Sequence, residues 1–411
     1  MKILHVGYSD TKGGAAISMM RLHNSLISKN IDSKVLVAEK MTNDPNVIGP
    51  TKSIEILIND MKKILVRQKK LIFKNTEDYS HSLNFFKSNI IKKINKINPD
   101  LVNLHWVNNE LLSIKQIGQI KQPLVWTFVD MWPMCGGEHY TETKRYKEGY
   151  SKTNQEKNLK GIDLNRLLWD QKKKNWNHKI KEIVCISEWL KEKTNESSLF
   201  KNKRITKINC NIDLKTWKPI EKDIARNVLN FPKNKKLFLF LSTNGVKDTR
   251  KGFKFVDKAL TKISEQRKDF ELVIVGKGND IGKKKYDYRV IDKIFDGNPI
   301  ELRLLYSACD LVLSPSTLEA FGQVAVESAS CGTPTIGFQK TGFEDIVNHK
   351  INGFLSNYLD EEDFYEGVNW FINNTESENK EISQNCLKIV SEKFDNGYIA
   401  EKYIKLYKSI I

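Results

Sequence analysis

The segment Ser314-Pro-Ser-Thr-Leu-Glu-Ala-Phe-Gly-Gln-Val-Ala-Val-Glu327 sets two carboxylates, Glu319 and Glu327, around a Phe321-Gly322 turn. The apolar run Leu311 to Leu313 predicts a buried strand, Gln323 to Ser330 a helix, and Gly332 with Pro334 its stop. One glutamate then falls in the loop leaving the strand and the other about one turn into the helix. In an open α/β sheet that loop is where ligands bind, and the N–H groups of Phe321, Gly322, Gln323 and Val324 suit phosphate or sugar hydroxyls. A carboxylate at each end of an anion site suits a ligand with both phosphate and polyol parts. The plain alternative is a strand-loop-helix with two solvated glutamates.

Other segments carry polar groups of matching chemistry. In Lys247-Asp-Thr-Arg-Lys-Gly-Phe253, Arg250 and Lys251 offer a planar and a mobile donor beside a glycine at a strand end, a fit for a diphosphate whose charge must be neutralised. As a surface charge run alone the segment would say nothing. Gly13 and Gly14 lie between the first strand and the first helix, where glycine lets a substrate approach the backbone. Their spacing is not Gly-x-Gly-x-x-Gly, which disfavours a nicotinamide-binding first domain. Gly276-Lys-Gly278 is a further turn after a strand, weak evidence alone.

Together these motifs resemble the retaining nucleotide-sugar glycosyltransferases of family 4, whose signature is Glu-x7-Glu inside Pro-Ser-x-x-Glu-x-Phe-Gly. The similarity continues through Cys331-Gly-Thr-Pro-Thr-Ile336, Thr341-Gly-Phe-Glu-Asp-Ile-Val347 and Asn352-Gly-Phe-Leu355. The resemblance implies a GT-B fold of class α/β: two doubly wound, Rossmann-like domains facing a central cleft, with a C-terminal helix crossing back to the N-terminal domain. It implies that Glu319 sits by the sugar hydroxyls, that Glu327 holds the ribose, and that Lys251, with the turn Phe321 to Gln323, meets the diphosphate. The same resemblance puts Gly276 near the nucleotide base, and Gly13 and Gly14 against the donor pyrophosphate and the acceptor. The family more often has Arg where this chain has Val246, so Lys251 is the firmer assignment and Arg250 its neighbour.

The segment Val125 to Tyr140 resembles the family's Thr-x-His-Asp-x-Trp-Pro, with Val129 in place of the histidine that faces the donor sugar in relatives. Asp130 and His139 are then the polar candidates for that task, and His105 is a third; each alone reads more readily as a satisfied structural group than as a catalyst. No metal is expected, since the chain has no Asp-x-Asp, and no cofactor beyond a nucleotide diphosphate sugar as co-substrate. The implied activity is transfer of a hexose, with retention, onto a glycan acceptor such as a lipid-linked polysaccharide or O-antigen intermediate. Rivals are a phosphorylase or epimerase, for which no pyridoxal-type lysine or epimerase signature is present, and a lapsed transferase serving as a scaffold, which Val129 favours.

These residues need elements to hold them. With 411 residues, 40% of them hydrophobic, the chain is sized for two domains. Strands at Lys2 to Tyr8, Ser33 to Val37, Asp100 to Trp106 and Pro123 to Phe128 alternate with helical stretches, and a second series begins after Lys218-Pro219. The expected division is an acceptor-side domain over 1–212, a donor domain over 213–393 and a returning helix over 394–411. Residues 140–160 are polar and unpatterned, and read as a mobile loop.

Six scattered cysteines without a Cys-x-x-Cys pair argue against a zinc site and for reduced thiols in a cytoplasmic protein. The sequence opens on a strand without a signal-peptide pattern, and no apolar run approaches the ~20 residues needed to span a bilayer. The net charge of +17 admits nucleic acid or an anionic membrane as partner. No nucleic-acid-binding module accompanies it. Met61 to Lys74 carries Lys62, Lys63, Arg67, Lys69, Lys70 and Lys74 with no acid, and Met61, Ile64, Leu65, Leu71 and Ile72 at helical spacing. That pattern fits either an amphipathic helix on acidic lipid or a helix whose apolar side faces the core.

Overall fold

The computed structural model describes residues 1–51, 53–72, 81–156, 161–176, 179–277, 281–292 and 298–411. They form two compact units, one of Met1–Cys210 with Ile399–Ile411 and one of Asn211–Tyr398.

In the first unit seven strands alternate with helices: β1 (Lys2–Ser9), β2 (Asp32–Glu39), β3 (Val47–Ile48), β4 (Leu101–Leu104), β5 (Leu124–Phe128), β6 (Glu182–Cys185) and β7 (Ile205–Lys207). They make one sheet in the order β3-β2-β1-β4-β5-β6-β7, and every pairing is parallel. Parallel neighbours need crossover helices, which bury both faces and explain strands as apolar as Leu-Val-Asn-Leu and Leu-Val-Trp-Thr-Phe. One face is closed by the last helix of the chain, Asn396–Lys408. Its Ile399, Ala400, Tyr403, Leu406 and Tyr407 are buried in one cluster with Ile3, Leu101, Val125 and Val184 of the strands. Beneath them Asn103 donates to the Tyr407 hydroxyl at 2.7 Å, and Thr127 donates to Asn103 at 3.1 Å.

The second unit holds β8 (Lys236–Leu241), β9 (Phe270–Val275), β10 (Asp287–Ile291), β11 (Leu311–Ser314), β12 (Thr335–Phe338) and β13 (Gly353–Ser356). The order is β10-β9-β8-β11-β12-β13, again all parallel. Each sheet therefore reverses its winding once, between β1 and β4 in the first unit and between β8 and β11 in the second. From those strand pairs the chain winds to opposite sides of the sheet, and the crevice at their carboxyl ends is where this architecture accepts ligands.

Two expectations need correction. Residues 140–160 are not a mobile loop as far as they are described: Thr141, Arg145, Tyr146 and Tyr150 are buried, Arg145–Glu148 is a helical turn, and Arg145 pairs with Asp163. Residues 157–160 lie outside the described residues. The helix around Met61 spans Ser53–Ile72, but its apolar side does not face the core, since Met61, Ile64 and Leu65 are 54%, 58% and 43% exposed. Lys74 and the side chains of Lys63, Arg67, Lys69, Lys70, Leu71 and Ile72 lie outside the described residues, as does Gly278.

Candidate functional site

In the second unit the loop after β8 is pressed onto the loop after β11. Gly252 makes this possible. Its φ is +72°, and a Cβ there would lie 2.0 Å from the Pro315 carbonyl oxygen, so no other residue type fits without moving the backbone. The contact is sealed by the Thr317 N–H donating to the Arg250 carbonyl at 2.8 Å. Lys251 is thereby delivered to Glu319, its Nζ 2.7 Å from Oε2. Arg250 stands further off, 3.9 Å from the same oxygen, and donates to the Leu318 carbonyl at 2.9 Å. Burial pulls the Glu319 carboxyl upward. The Lys251 and Arg250 charges, the Lys251 hydrogen bond and the Phe321 N–H outweigh that pull and hold it below the ordinary glutamate value.

The Phe321-Gly322 turn is fixed in the same way. Gly322 has φ +103°, and a Cβ on it would meet the Phe343 ring at 2.6 Å. It caps the helix Gln323–Ser330 without a side-chain bond. Glu327 is buried on that helix, and Tyr306 donates to its Oε2 at 3.2 Å. Gly276 follows β9, where φ +135° and a Ser242 carbonyl 1.7 Å from any Cβ require glycine. The β8–β11 switch point thus brings Lys251, Arg250 and Glu319 into contact. Glu327 lies further along the helix and Gly276 at the neighbouring strand end. Tyr306 was not foreseen; it follows Leu304-Leu305 on the helix Pro299–Ala308, and nothing there marks it apart from a core aromatic.

In the first unit the β1–β4 switch point holds a pocket of about 290 Å³ lined by Tyr8, Gly13, Gly14, His105 and Trp106 among others. Gly13 has φ +84° and precedes the helix Gly14–Ser28 without a side-chain cap, and nothing lies within 4 Å of where its Cβ would stand. His105 is buried and shares a 2.9 Å hydrogen bond with His5. Burial lowers its pKa to about 3, so its ring is neutral at physiological pH.

Asp130 and His139 are brought together, but deep in the unit. The Asp130 carboxylate accepts from His139 Nδ1 at 2.6 Å and from Trp106 Nε1 at 3.0 Å on one oxygen. Its other oxygen accepts from the Trp132 N–H at 3.0 Å. The carboxylate places the imidazole proton on Nδ1, and Ser82 Oγ completes the row at 2.8 Å from Nε2. Ser82, Asp130 and His139 are all buried. The turn that carries them is held by Lys172, also fully buried, which donates to the carbonyls of Trp132, Cys135 and Gly136. Its Nζ lies 3.8 Å from the centre of the Trp132 ring. Ser82 and Lys172 carried no recognisable signal, being far in sequence from the segment they support.

Comparisons with known proteins bear on the fold and on the second unit. Residues 221–387 match the family model described as Glycosyl transferases group 1. Its second unit is thus similar to the group 1 glycosyl transferases. An uncharacterized glycosyltransferase of Methanocaldococcus jannaschii is 30% identical over 197 residues, which are 46% of this chain. That match spans about half of the relative's length, 48%. An uncharacterized 41.2 kDa protein in the cps region of Klebsiella pneumoniae is 24% identical over 415 residues, covering 100% of both chains. Among solved structures, an Anabaena protein, Alr3699/HepE, determined in complex with UDP-glucose, superposes with a TM-score of 0.61 at 18% identity, covering 100% of each chain. The fold is GT-B, with Rossmann-like units of seven and six strands.

Proposed function

We propose that the chain is a retaining hexosyltransferase that takes the sugar from a nucleoside diphosphate and places it on a glycan, a lipid-linked polysaccharide or O-antigen intermediate. The observation that carries the reading is the Lys251–Glu319 pair at the β8–β11 switch point of a group 1 domain. Departure of a sugar from a diphosphate passes through an oxocarbenium-like state, in which negative charge grows on the phosphate and positive charge on the ring. Lys251, seconded by Arg250 and the positive end of the helix Gln323–Ser330, meets the first. Glu319 lies beside the second and accepts from the sugar hydroxyls. Glu327 accepts from the ribose, with Tyr306 holding its carboxylate in place. Attack then comes from the face the phosphate leaves, and the phosphate takes the acceptor's proton. No metal or other cofactor enters this scheme.

The reading is supported by the Anabaena protein's complex with UDP-glucose and by the cps-region setting of the Klebsiella protein. A panel of uridine, guanosine and adenosine diphosphate sugars, offered with glycan acceptors and followed by nucleotide release, tests it. Release with one donor and glycan extension is expected. Tight nucleotide-sugar binding without turnover on any donor would instead make the chain a scaffold. Glu327→Ala should raise the donor dissociation constant about tenfold or more, since each charge-assisted bond contributes ~1.5–3 kcal/mol. Unchanged affinity by calorimetry would remove Glu327 from the ribose.

A lipid-linked acceptor places the enzyme at an anionic membrane face, and the helix Ser53–Ile72 is the surface we assign to it. Leu57, Met61, Ile64 and Leu65 follow one another at helical spacing and all are exposed, beside a segment rich in lysine. Lys62 is already tied to the Lys87 carbonyl at 2.7 Å. Vesicles containing phosphatidylserine should bind the protein at low salt and release it as salt rises, each surface lysine contributing about 1 kcal/mol. Equal binding to neutral vesicles, or binding undiminished in a Lys63→Glu, Lys69→Glu, Lys70→Glu variant, would count against this surface.

A further inference from the structure

The Asp130–His139 pair is more ordered than a site awaiting substrate requires, and its hydrogen bonds lead to the pocket. Trp106 lines that pocket and donates its indole N–H to Asp130 at 3.0 Å. His139 occupies the same Asp130 oxygen at 2.6 Å, and Ser82 fixes the far side of the imidazole at 2.8 Å. The Trp106 and His139 rings lie 5.5 Å apart, 31° from parallel. On its other side Trp106 meets Tyr8 edge to face at 5.8 Å and 88°, and Tyr8 is itself anchored by donating to Glu39 at 2.6 Å. Trp106 is only half-buried. An indole held at its nitrogen and propped on two sides, with part of its surface open beside a glycine loop, is a preorganised platform for a flat, weakly polar ligand face.

We propose that Ser82, His139 and Asp130 are positioning residues that fix Trp106 as the stacking wall of a saccharide subsite in the first unit. Resting on the proposed transferase reading, the subsite takes one sugar ring of the glycan acceptor. The C–H face of the ring lies on the indole, and its hydroxyls are met by Lys12 and the N–H groups at the start of the helix Gly14–Ser28. At about 290 Å³ the pocket lies at the low end of the ~300–1,000 Å³ found for small-molecule sites, which suits one ring rather than a chain. His139 and Asp130 touch Trp106 and not the sugar.

The test is fluorine NMR of the full chain labelled with 5-fluorotryptophan, titrated with methyl α-glucoside, methyl α-mannoside and glucose 1-phosphate. The signal missing in Trp106→Phe is that of Trp106. It should shift with at least one of these sugars while the other seven of the eight tryptophans stay in place. His139→Ala should move the unliganded signal and weaken the sugar response at least tenfold. His139→Asn, whose amide can still donate to Asp130, should restore most of the response. Ser82→Ala, the mildest change, should weaken it a fewfold. A purely structural pair would lower the melting temperature in all three variants without this ordering.

A Trp106 signal that ignores every sugar, or that is unmoved by His139→Ala, overturns the proposal. So does covalent labelling of Ser82 by a fluorophosphonate, which would make the row a nucleophile with its base. Binding of UDP and GDP, measured on the same samples, keeps two failures apart. A wild-type chain that binds neither nucleotide refutes the transferase reading, whereas nucleotide binding with a silent Trp106 refutes only the subsite.

Discussion

Exchange of Lys251 for Met is expected to slow sugar transfer by about two to three orders of magnitude at saturating donor, the range seen when a preorganised charge donor is removed from a transition state. Stability confounds the measurement, because Glu319 is mostly buried and loses its 2.7 Å partner. The double variant Lys251→Met, Glu319→Gln, set against Glu319→Gln alone, separates the effects. It should regain the melting temperature, since no charge is left unpaired, and be far slower than Glu319→Gln alone, since the leaving phosphate still lacks its cation. Recovery of rate along with stability would show that Lys251 serves only the fold. The pH profile carries a further sign. The Glu319 carboxyl is held below its ordinary value of 4.5 in the folded chain, so the stability it contributes is complete above 4.5. That contribution is lost as pH falls through the depressed value.

Lys172→Met should lower the stability of the first unit by about 3 kcal/mol, roughly 6–12 °C in melting temperature for a unit of this size. Burial draws the Lys172 ammonium down, and the neighbouring Cys135, Glu138 and Asp130 draw it back only in part, leaving a pKa of about 7. Three carbonyl oxygens and the Trp132 face are its compensation. Methionine fills the volume and satisfies none of the carbonyls. A melting temperature within a degree or two of wild type, by calorimetry, would mean that the 132–136 turn holds its shape without the lysine.

The strands that were legible in the sequence are the ones buried on both faces, such as β5, β8 and β11, because a continuous apolar run of four to six residues has few other readings. β6 was not legible, since it begins with Glu182, a charge that pattern reasoning sends to the surface. The fold keeps it inside by giving it Thr206 at 2.8 Å and Arg204 at 3.1 Å. β7 is three residues long, and β10 is Asp-Tyr-Arg-Val-Ile, too polar to read as core.

The site followed the same division. Glu319, Lys251 and the glycines could be named because one short motif fixes several residue types at once. That Lys251 and Glu319 pair depends on Gly252 lying against Pro315, a contact 63 residues distant in sequence (315 minus 252). Asp130 and His139 could be named but not placed, because whether a polar group faces a ligand or a neighbour is decided by side chains such as Ser82 and Trp106 that arrive from other segments of the chain.

The helix Asn396–Lys408 that closes the first sheet leaves the ribosome only after the second unit. Until it does, the cluster around Ile3, Leu101, Val125 and Val184 has only Leu22 and Leu26 of the helix Gly14–Ser28 packed on it, although the rest of their unit was complete at Cys210. About 200 further residues must be made first, roughly 10–40 s at 5–20 residues per second. Through that interval the nascent first unit carries a partly uncovered apolar sheet while the second unit, contiguous from Asn211 to Tyr398, can complete itself. The half of the molecule synthesised first therefore becomes fully stable last, and a chaperone that shields that face is needed most during elongation rather than after release.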